Sequence, residues 1–192
     1  VFPDFNDNGH LLEGDKPQKG DIVVFRYPHN EKIHYVKRCV ATGGDVLFLR
    51  DKKLYLHPKE GNEFIIENYK GYNIAKVGNK LYVENPYKKD HPGIHNDETV
   101  QKSNSPYRQI FDTVPTEVPE GEFFMMGDNR DHSNDSRFWG TVPYKYIVGK
   151  PWFVYFSWDE NKKIRWDRVF QTPEQLEKTK YVDNRNHEKG IY

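Results

Sequence analysis

The sequence has little cysteine, no net charge and no long apolar run. Its 192 residues include a single cysteine, Cys39, so an internal disulfide framework is excluded. Lysine plus arginine equal aspartate plus glutamate at 29 each, which removes the basic field that binds nucleic acid. No apolar run approaches the ~20 residues of a membrane-spanning helix. Because the charges balance, we predict no nucleic acid among the partners of this chain.

Apolar residues are also scarce, but aromatic residues are abundant. Apolar residues make up 35% of the sequence, while aromatic residues make up 15%, with 13 tyrosines and 12 phenylalanines. Aromatic side chains favour strands, and short alternating or apolar runs bounded by turn residues indicate where the strands lie. We predict a mainly β protein, with strands at 21–27, 32–40, 46–49, 54–56, 75–77, 81–83, 123–126, 146–158 and 163–170.

Turn signals divide the chain further. Asp51 and Lys52 separate two predicted strands as a hairpin, and so do Gly78 and Asn79. From residue 87 to 108 the chain becomes polar and loop-like. We predict a catalytic core domain formed by residues 1–50 and 118–192, with a smaller β-rich domain inserted at 51–117. One helix is predicted, at 173–180, where Thr172 and Gln175 form a capping box.

A dense polar stretch, GDNRDHSNDSRFWG at 127–140, directly follows an apolar run. A calcium loop is excluded, because its sixth position is Ser136 rather than glycine and its twelfth is Val142 rather than glutamate. His91 and His95 have helical spacing, but Pro92 between them breaks a helix. We predict no metal site and no cofactor.

Lys37 lies within a predicted strand, where a lysine is usually a solvated surface group. Its surroundings in the sequence are unusual: a strand pair, a GGD turn at 43–45 and the later polar stretch. No GxSxG elbow occurs, so a Ser/His/Asp hydrolase is unsupported. Cys39 has no signature of a catalytic thiol and is predicted to be a small side chain within a strand.

Taken together, three blocks resemble the bacterial type I signal peptidases, which are membrane-bound serine endopeptidases with a Ser/Lys dyad. The blocks are GDIVVFRYP at 20–28, YVKRCVATGGD at 35–45 and FFMMGDNRDHSNDSRFWG at 123–140. The resemblance covers residues 9–50 and 115–170. It implies a signal-peptidase-type β core domain carrying an inserted smaller β-rich domain.

The resemblance also implies a set of site residues. Lys37 matches the neutral amine that takes the proton of the attacking serine, and for this its pKa must fall well below the ordinary value of about 10.4. Burial lowers the pKa of a lysine. Ser133 matches the hydroxyl that orients the amine.

Five further residues match supports of the site. Asp135 and Arg137 correspond to an ion pair that braces the loop, and Asp128 is expected to pair with Arg38. Gly127 would let the backbone pass close to the lysine, so that a side chain there would displace it.

The resemblance implies that the substrates are signal peptides of exported preproteins, which bind as extended chains. Tyr35 and Val36 match positions lining that groove, although an ordinary core role for Val36 remains an alternative. In the aromatic run at 152–158, alternate positions are expected to belong to the core and the others to contact a membrane surface. The implied location is the bacterial inner membrane, with the catalytic domain on the periplasmic side.

The nucleophile of the family lies in an SMxPT motif upstream of the GDIVVF block, whereas methionine occurs here only at 125 and 126. We therefore expect the nucleophile and the membrane anchor to lie outside this chain, which alone would be inactive. An inactive peptide-binding relative is the alternative, although such a module has no need of a lysine with a lowered pKa. A self-cleaving repressor would need a DNA-binding domain, for which the sequence gives no sign.

Overall fold

The computed structural model describes residues 16–151 and 170–178, and this part of the protein is mainly β, as predicted. Ten strands and three α-helices lie within these ranges. The strands are β1 (Ile22–Tyr27), β2 (Asn30–Thr42), β3 (Val46–Arg50), β4 (Lys53–His57), β5 (Ile74–Val77), β6 (Lys80–Glu84), β7 (Thr116–Glu117), β8 (Glu122–Met126), β9 (Val142–Pro143) and β10 (Ile147–Gly149). The helices are α1 (Gly61–Asn68), α2 (Ser136–Trp139) and α3 (Pro173–Lys178).

In the described residues the strands form two antiparallel sheets of five strands each. The first sheet has the order β10-β1-β2-β8-β9, and the second has the order β5-β6-β4-β3-β7. The chain passes from the first sheet to the second between β2 and β3 and returns between β7 and β8. Strands β2 and β8 are direct neighbours, with Arg38 opposite Met126.

The apolar run 123–126 forms β8 because side chains cover both faces of this strand. Phe123 and Met125 pack on one face of the first sheet, in a cluster with Phe25 and Cys39. Phe124 and Met126 belong to a second cluster, which includes leucines of β3 and β4. A strand buried on both faces requires a continuous apolar run rather than an alternating one. Cys39 is fully buried, which confirms its predicted place in a strand.

Both predicted hairpins are confirmed. Asp51 and Lys52 form the two-residue turn between β3 and β4, with φ angles of 47° and 65°. Gly78, with a φ of 61°, begins the turn between β5 and β6. The predicted loop between 87 and 108 is also confirmed, since it holds turns and one isolated bridge, between His95 and Asn129.

Helix α1 was not expected from the sequence, which predicted a helix only near the C-terminus. The helix lacks a start signal, because the residue before it, Glu60, makes no side-chain capping hydrogen bond. Adjacent β-branched residues, Ile65 and Ile66, also have low helix propensity. Ile65 is fully buried, so burial of an apolar face outweighs the weak local preference.

The chain divides into two compact units, Val1–Lys150 and Pro151–Tyr192. In the second unit, the predicted helix is confirmed as α3. Its capping box is present, since Thr172 N donates to Gln175 Oε1 (2.8 Å) and Gln175 N donates to Thr172 Oγ1 (3.3 Å). Of the strand predicted at 146–158, only β10 is a strand among the described residues; Tyr146 lies in a 3₁₀ turn, and Lys150 and Pro151 belong to no strand. Residues 152–169, which hold the remainder of it and most of the strand predicted at 163–170, lie outside the described residues, and Phe170 lies in a turn.

The second sheet takes its strands from residues 46–117. It includes β3, which precedes the predicted domain boundary at residue 51, and the assignment of 51–117 to a separate domain stays a prediction. Two backbone hydrogen bonds close the base of this stretch: Gly44 N donates to Val118 O (2.9 Å), and Val118 N donates to Asp45 O (2.9 Å). The carboxylate of Asp45 is fully buried and accepts the backbone N–H of Thr42 (2.8 Å) and of Lys59 (2.9 Å).

Candidate active site

The candidate site lies where β2 and β8 run side by side. Strand β2 carries Lys37 and Arg38, and β8 ends at Met126 opposite Arg38. The polar loop at 127–135 therefore begins beside Lys37. Residues far apart in the sequence meet here because two antiparallel strands pair.

Gly127 is the point at which Lys37 and Ser133 converge. A Cβ placed on Gly127 would overlap Ser133 Oγ and would lie 2.5 Å from Ser133 Cβ and 3.6 Å from Lys37 Nζ. A methyl group cannot fit against Ser133 at that distance, whereas 3.6 Å is an ordinary contact. The space that a side chain at 127 needs is thus occupied by Ser133, and the predicted displacement of the lysine becomes a displacement of the serine.

Lys37 and Ser133 have no polar partners among the described residues. The Lys37 side chain is half-buried, and its Nζ lies 5.4 Å from the centre of the Tyr35 ring. Burial lowers the pKa of Lys37, the positive charge of Arg137 lowers it further, and the carboxylates of Asp135 and Asp128 raise it, with a net decrease. The hydroxyl of Ser133 is buried, and no other group in 16–151 or 170–178 hydrogen-bonds with it.

Asp135 ties the two ends of the polar loop together. Its fully buried carboxylate accepts hydrogen bonds from Arg137 Nε (2.8 Å) and Arg137 Nη2 (2.8 Å). It also accepts the backbone N–H of Gly127 (3.0 Å) and caps helix α2 through the N–H of Arg137 (3.2 Å). The carboxylate therefore fixes where the loop leaves β8 and where it enters α2.

Arg38 holds the same loop to β2. Its guanidinium donates to both carboxylate oxygens of Asp128, at 2.9 and 2.7 Å, and to the carbonyl oxygen of Gly20 at 2.6 Å. Both ion pairs expected from the sequence, Asp128 with Arg38 and Asp135 with Arg137, are thus present in the structure.

Arg130 is a feature that the sequence analysis did not single out. Its side chain is buried, and its Nε has no hydrogen-bond partner in the described part of the chain. Burial, assisted by the nearby charge of Arg137, lowers the pKa of Arg130 to about 10. A buried arginine is rare unless paired, but nothing in the sequence separates this arginine from its charged neighbours.

Tyr35 and Val36 lie just before the lysine on β2 and differ in environment. Tyr35 packs edge-on against Phe25 and stacks with Trp139, with ring centres 6.2 and 6.5 Å apart. Val36 is 56% exposed, so the alternative that it is an ordinary core residue is wrong.

The backbone of β2 near these residues has an open edge. Strand β1 pairs with β2 from Asn30 to Arg38, but β8 pairs with β2 only from Arg38 onward. Within the described residues no other strand covers the remaining edge of 30–37. An edge of unpaired N–H and C=O groups can accept an added strand.

Neither a metal centre nor a membrane-crossing helix is found in the described ranges. No group of three or more histidine, cysteine, aspartate or glutamate side chains is placed to hold a metal ion among residues 16–151 and 170–178. In the same ranges no helix has both the length and the apolar character needed to cross a membrane.

Comparisons with known proteins point to one family. A family model described as "Signal peptidase, peptidase S26" matches residues 7–158. Signal peptidase I from Helicobacter pylori strain 26695 is 39% identical over 97% of this chain and 76% of its own length. The protein of the same name from H. pylori strain J99 is 42% identical over 93% of this chain and 73% of its own length.

More distant matches carry the same name. Signal peptidase I from Pseudomonas fluorescens is 38% identical over 79% of this chain and 54% of its own length. Among solved structures, a signal peptidase I from Enterococcus faecalis V583 is 26% identical, with a TM-score of 0.43, over 71% of this chain and 97% of that one.

Proposed function

The chain belongs to the signal peptidase I family, peptidase S26, and from this premise we propose that it removes signal peptides from exported preproteins by Ser/Lys dyad proteolysis. One observation carries the proposal: Lys37 Nζ and Ser133 Oγ both lie next to Gly127, and neither has a hydrogen-bond partner among the described residues. An amine that is partly desolvated and unpaired is suited to act as a base rather than as a structural cation.

In the proposed reaction Lys37 is the general base. Its neutral amine takes the proton from the attacking serine as that oxygen bonds to the scissile carbonyl carbon. The resulting ammonium then gives the proton to the leaving amine as the peptide bond breaks, which leaves an acyl-enzyme. Lys37 next takes a proton from water, which attacks the ester, and the proton returns to the departing serine oxygen. The Ser133 hydroxyl makes no hydrogen bond in the described part of the chain; we propose that during the reaction its oxygen accepts an N–H of Lys37 and so orients the lone pair of the Lys37 nitrogen.

The Asp135–Arg137 pair supports this chemistry electrostatically. An isolated carboxylate beside Lys37 would raise the pKa of the amine and keep it protonated. Arg137 binds Asp135 through two hydrogen bonds, so the carboxylate can anchor the loop while the guanidinium offsets part of its effect on the pKa of Lys37. We assign Arg38 and Asp128 a similar anchoring role.

The substrate would bind at the open edge of β2. An extended peptide beside Tyr35 and Val36 could hydrogen-bond to the uncovered backbone and continue the first sheet. The exposed Val36 side chain is available to contact it. This arrangement would deliver the scissile bond to Lys37, which follows directly on the same strand.

The attacking serine, the membrane anchor and the aromatic run at 152–158 are not among the described residues. We propose that the attacking serine and the membrane anchor belong to sequence outside residues 1–192, and that the enzyme works at the outer face of the bacterial inner membrane. The aromatic run at 152–158, proposed to contact the membrane surface, lies outside the described residues.

Cleavage by the full-length protein tests the proposed function. The substrate is a preprotein with small residues one and three places before the cut, and the control carries a bulky residue at each of these places. We expect cleavage of the first only, mapped by mass spectrometry to that bond. Binding without cleavage would instead support the inactive peptide-binding relative.

A Gly127→Ala variant tests the close approach at the site. The new methyl group would push Ser133 away from Lys37, and a displacement near 1 Å can cost about 100-fold in rate. We expect kcat of the full-length protein to fall by about 100-fold or more, while the free energy of unfolding falls by only about 1–3 kcal/mol.

Gly93→Ala is the matched control, because a Cβ at Gly93 would meet no atom within 4 Å. Its kcat and unfolding free energy should stay close to those of the parent protein. If Gly127→Ala kept full turnover, Ser133 would have no part in orienting Lys37.

A further inference from the structure

Residues 95–97, within the predicted insertion, lie alongside the loop that carries Ser133. His95 N donates to the carbonyl oxygen of Asp128 (3.0 Å), and Arg130 N donates to the carbonyl oxygen of His95 (3.0 Å). The two segments therefore form a short parallel bridge. The residues before Ser133 are thus bonded to this segment as well as, through Asp128, to Arg38 of β2.

The carboxylate of Asp131 strengthens this junction. Its side chain is fully buried and lies two residues before Ser133. Asp131 Oδ2 accepts the backbone N–H of Asp97 at 2.6 Å. Asp131 Oδ1 lies 3.0 Å from Lys52 Nζ, an ion pair whose angles are not those of a hydrogen bond. Lys52 Nζ also donates to the carbonyl oxygen of Asp97 at 2.9 Å. One ammonium group thus bridges the Ser133 loop and the 95–97 segment.

The backbone of Lys52 has a positive φ, a conformation that residues other than glycine seldom adopt. Its φ of 65° lies in the left-handed region, which glycine or asparagine adopts more readily in such a turn. The residue is fixed there by its N–H, which donates to Phe111 O at 3.0 Å, and by its ammonium, 5.2 Å from the centre of the Phe111 ring. Strained residues persist where the surroundings over-determine them, often close to functional sites.

Ser133 needs such support, because its hydroxyl has no hydrogen-bond partner in the described part of the chain. Its position therefore depends on the backbone at each side of it. Asp135, bonded to Gly127 and Arg137, anchors the side that follows Ser133. Asp131 is the corresponding anchor on the side that precedes it.

We infer that Lys52 is a positioning residue for the Ser133 hydroxyl: by binding Asp131 and Asp97, it fixes the Ser133 loop against Lys37. This inference rests on the proposed function, and it gives Lys52 and residues 95–97, which belong to the predicted insertion, a part in the reaction.

The test compares Lys52→Met with Lys53→Met. Lys53 follows directly as the first residue of β4, has a side chain that is 50% exposed, and pairs with Glu84 of β6 (2.9 Å). For the full-length protein we expect Lys52→Met to lower kcat by about 10- to 100-fold, with KM within about twofold of the parent value. Lys53→Met should leave both unchanged, and Lys52→Arg should recover part of kcat because it keeps the charge.

Amide hydrogen exchange on the 192-residue chain gives a readout that does not need activity. Lys52→Met should speed exchange at the N–H of Asp97 and Arg130, and leave unchanged the N–H of Cys39, which donates to Asp21 O at 2.8 Å. If Lys52→Met does not fold, Asp131→Asn, which leaves the turn intact, is measured in its place.

The outcomes separate the two proposals. Faster exchange with an unchanged kcat would overturn the positioning role while the peptidase function stands, and so would unchanged exchange at Asp97 and Arg130. A full-length parent protein that cleaves no preprotein would defeat the proposed function, and the positioning role with it, even if exchange showed the Lys52 contacts to be real.

Discussion

Lys37→Met will abolish preprotein cleavage by the full-length protein, lowering kcat by about 10⁴- to 10⁶-fold. Methionine has a similar length but offers no lone pair that could take the proton of the attacking serine. The measurement is single-turnover cleavage at saturating substrate, which separates chemistry from binding. Because Lys37 has no ion pair or hydrogen bond among the described residues, its removal should leave the surrounding groups in place.

The same substitution should stabilise the folded chain at neutral pH. A lysine whose pKa is lowered by burial destabilises the fold while it is protonated, because the charged form is better solvated in the unfolded chain. This penalty is complete below the folded-state pKa of Lys37 and disappears as the pH rises toward about 10.4, the value for a free lysine.

The melting temperature of Lys37→Met should therefore exceed that of the parent chain at pH 7, and the difference should shrink at higher pH. Lys32→Met, an exposed lysine on the same strand, is the control and should show neither effect. Full cleavage by Lys37→Met would remove Lys37 as the base. A lower melting temperature at pH 7 would mean that the amine has a stabilising partner.

Arg137→Met should lower the free energy of unfolding by about 3–5 kcal/mol, because it leaves the fully buried Asp135 without its counter-charge. It should also raise the pKa of Lys37, since a cation that lowers this pKa is lost while the carboxylate that raises it remains. The acidic limb of the kcat/KM profile should then move to higher pH. Activity lost at pH 7 would be partly recovered in more alkaline buffer.

Two comparisons separate these effects from general damage. The double variant Asp135→Leu with Arg137→Met removes both charges and should be more stable than Arg137→Met alone. Lys102→Met removes a lysine that pairs with Asp51 and Asp112 at the exposed surface, and it should cost less than about 1 kcal/mol. A pH profile of Arg137→Met identical to that of the parent would contradict the proposed electrostatic role of the guanidinium.

The strands near the site were predictable because few other secondary structures suit their sequences. The run at 123–126 has four large apolar side chains and suits a strand covered on both faces. The resemblance of three sequence blocks to the signal peptidases is what predicted that Lys37 and Ser133 lie in one site. By contrast, α1 has no capping signal, and it depends on the burial of Ile65, which local sequence does not report.

The contacts within the site were harder to predict than the residues that form it. The expectation for Gly127 was a clash with Lys37, but the structure shows that Ser133 fills that space. Lys52 gives no signal in the sequence, because a lysine at a hairpin turn is an ordinary surface residue. Its contact with Asp131 joins positions far apart along the chain, so only the three-dimensional arrangement shows it.

Two backbone hydrogen bonds fix the ends of the stretch that forms the second sheet, so segments far from those ends can be exchanged between related proteins. The chain enters and leaves this stretch through Gly44 and Val118, which are directly hydrogen-bonded. Because the entropy of closing a loop grows slowly with length, segments such as 61–79 could be shortened, extended or replaced by a fluorescent tag without moving these two ends. We expect a chimera to keep the full kcat of the parent only if it keeps Lys52 and residues 95–97. Sequence differences between natural relatives should accordingly be concentrated at the β5 edge of the second sheet.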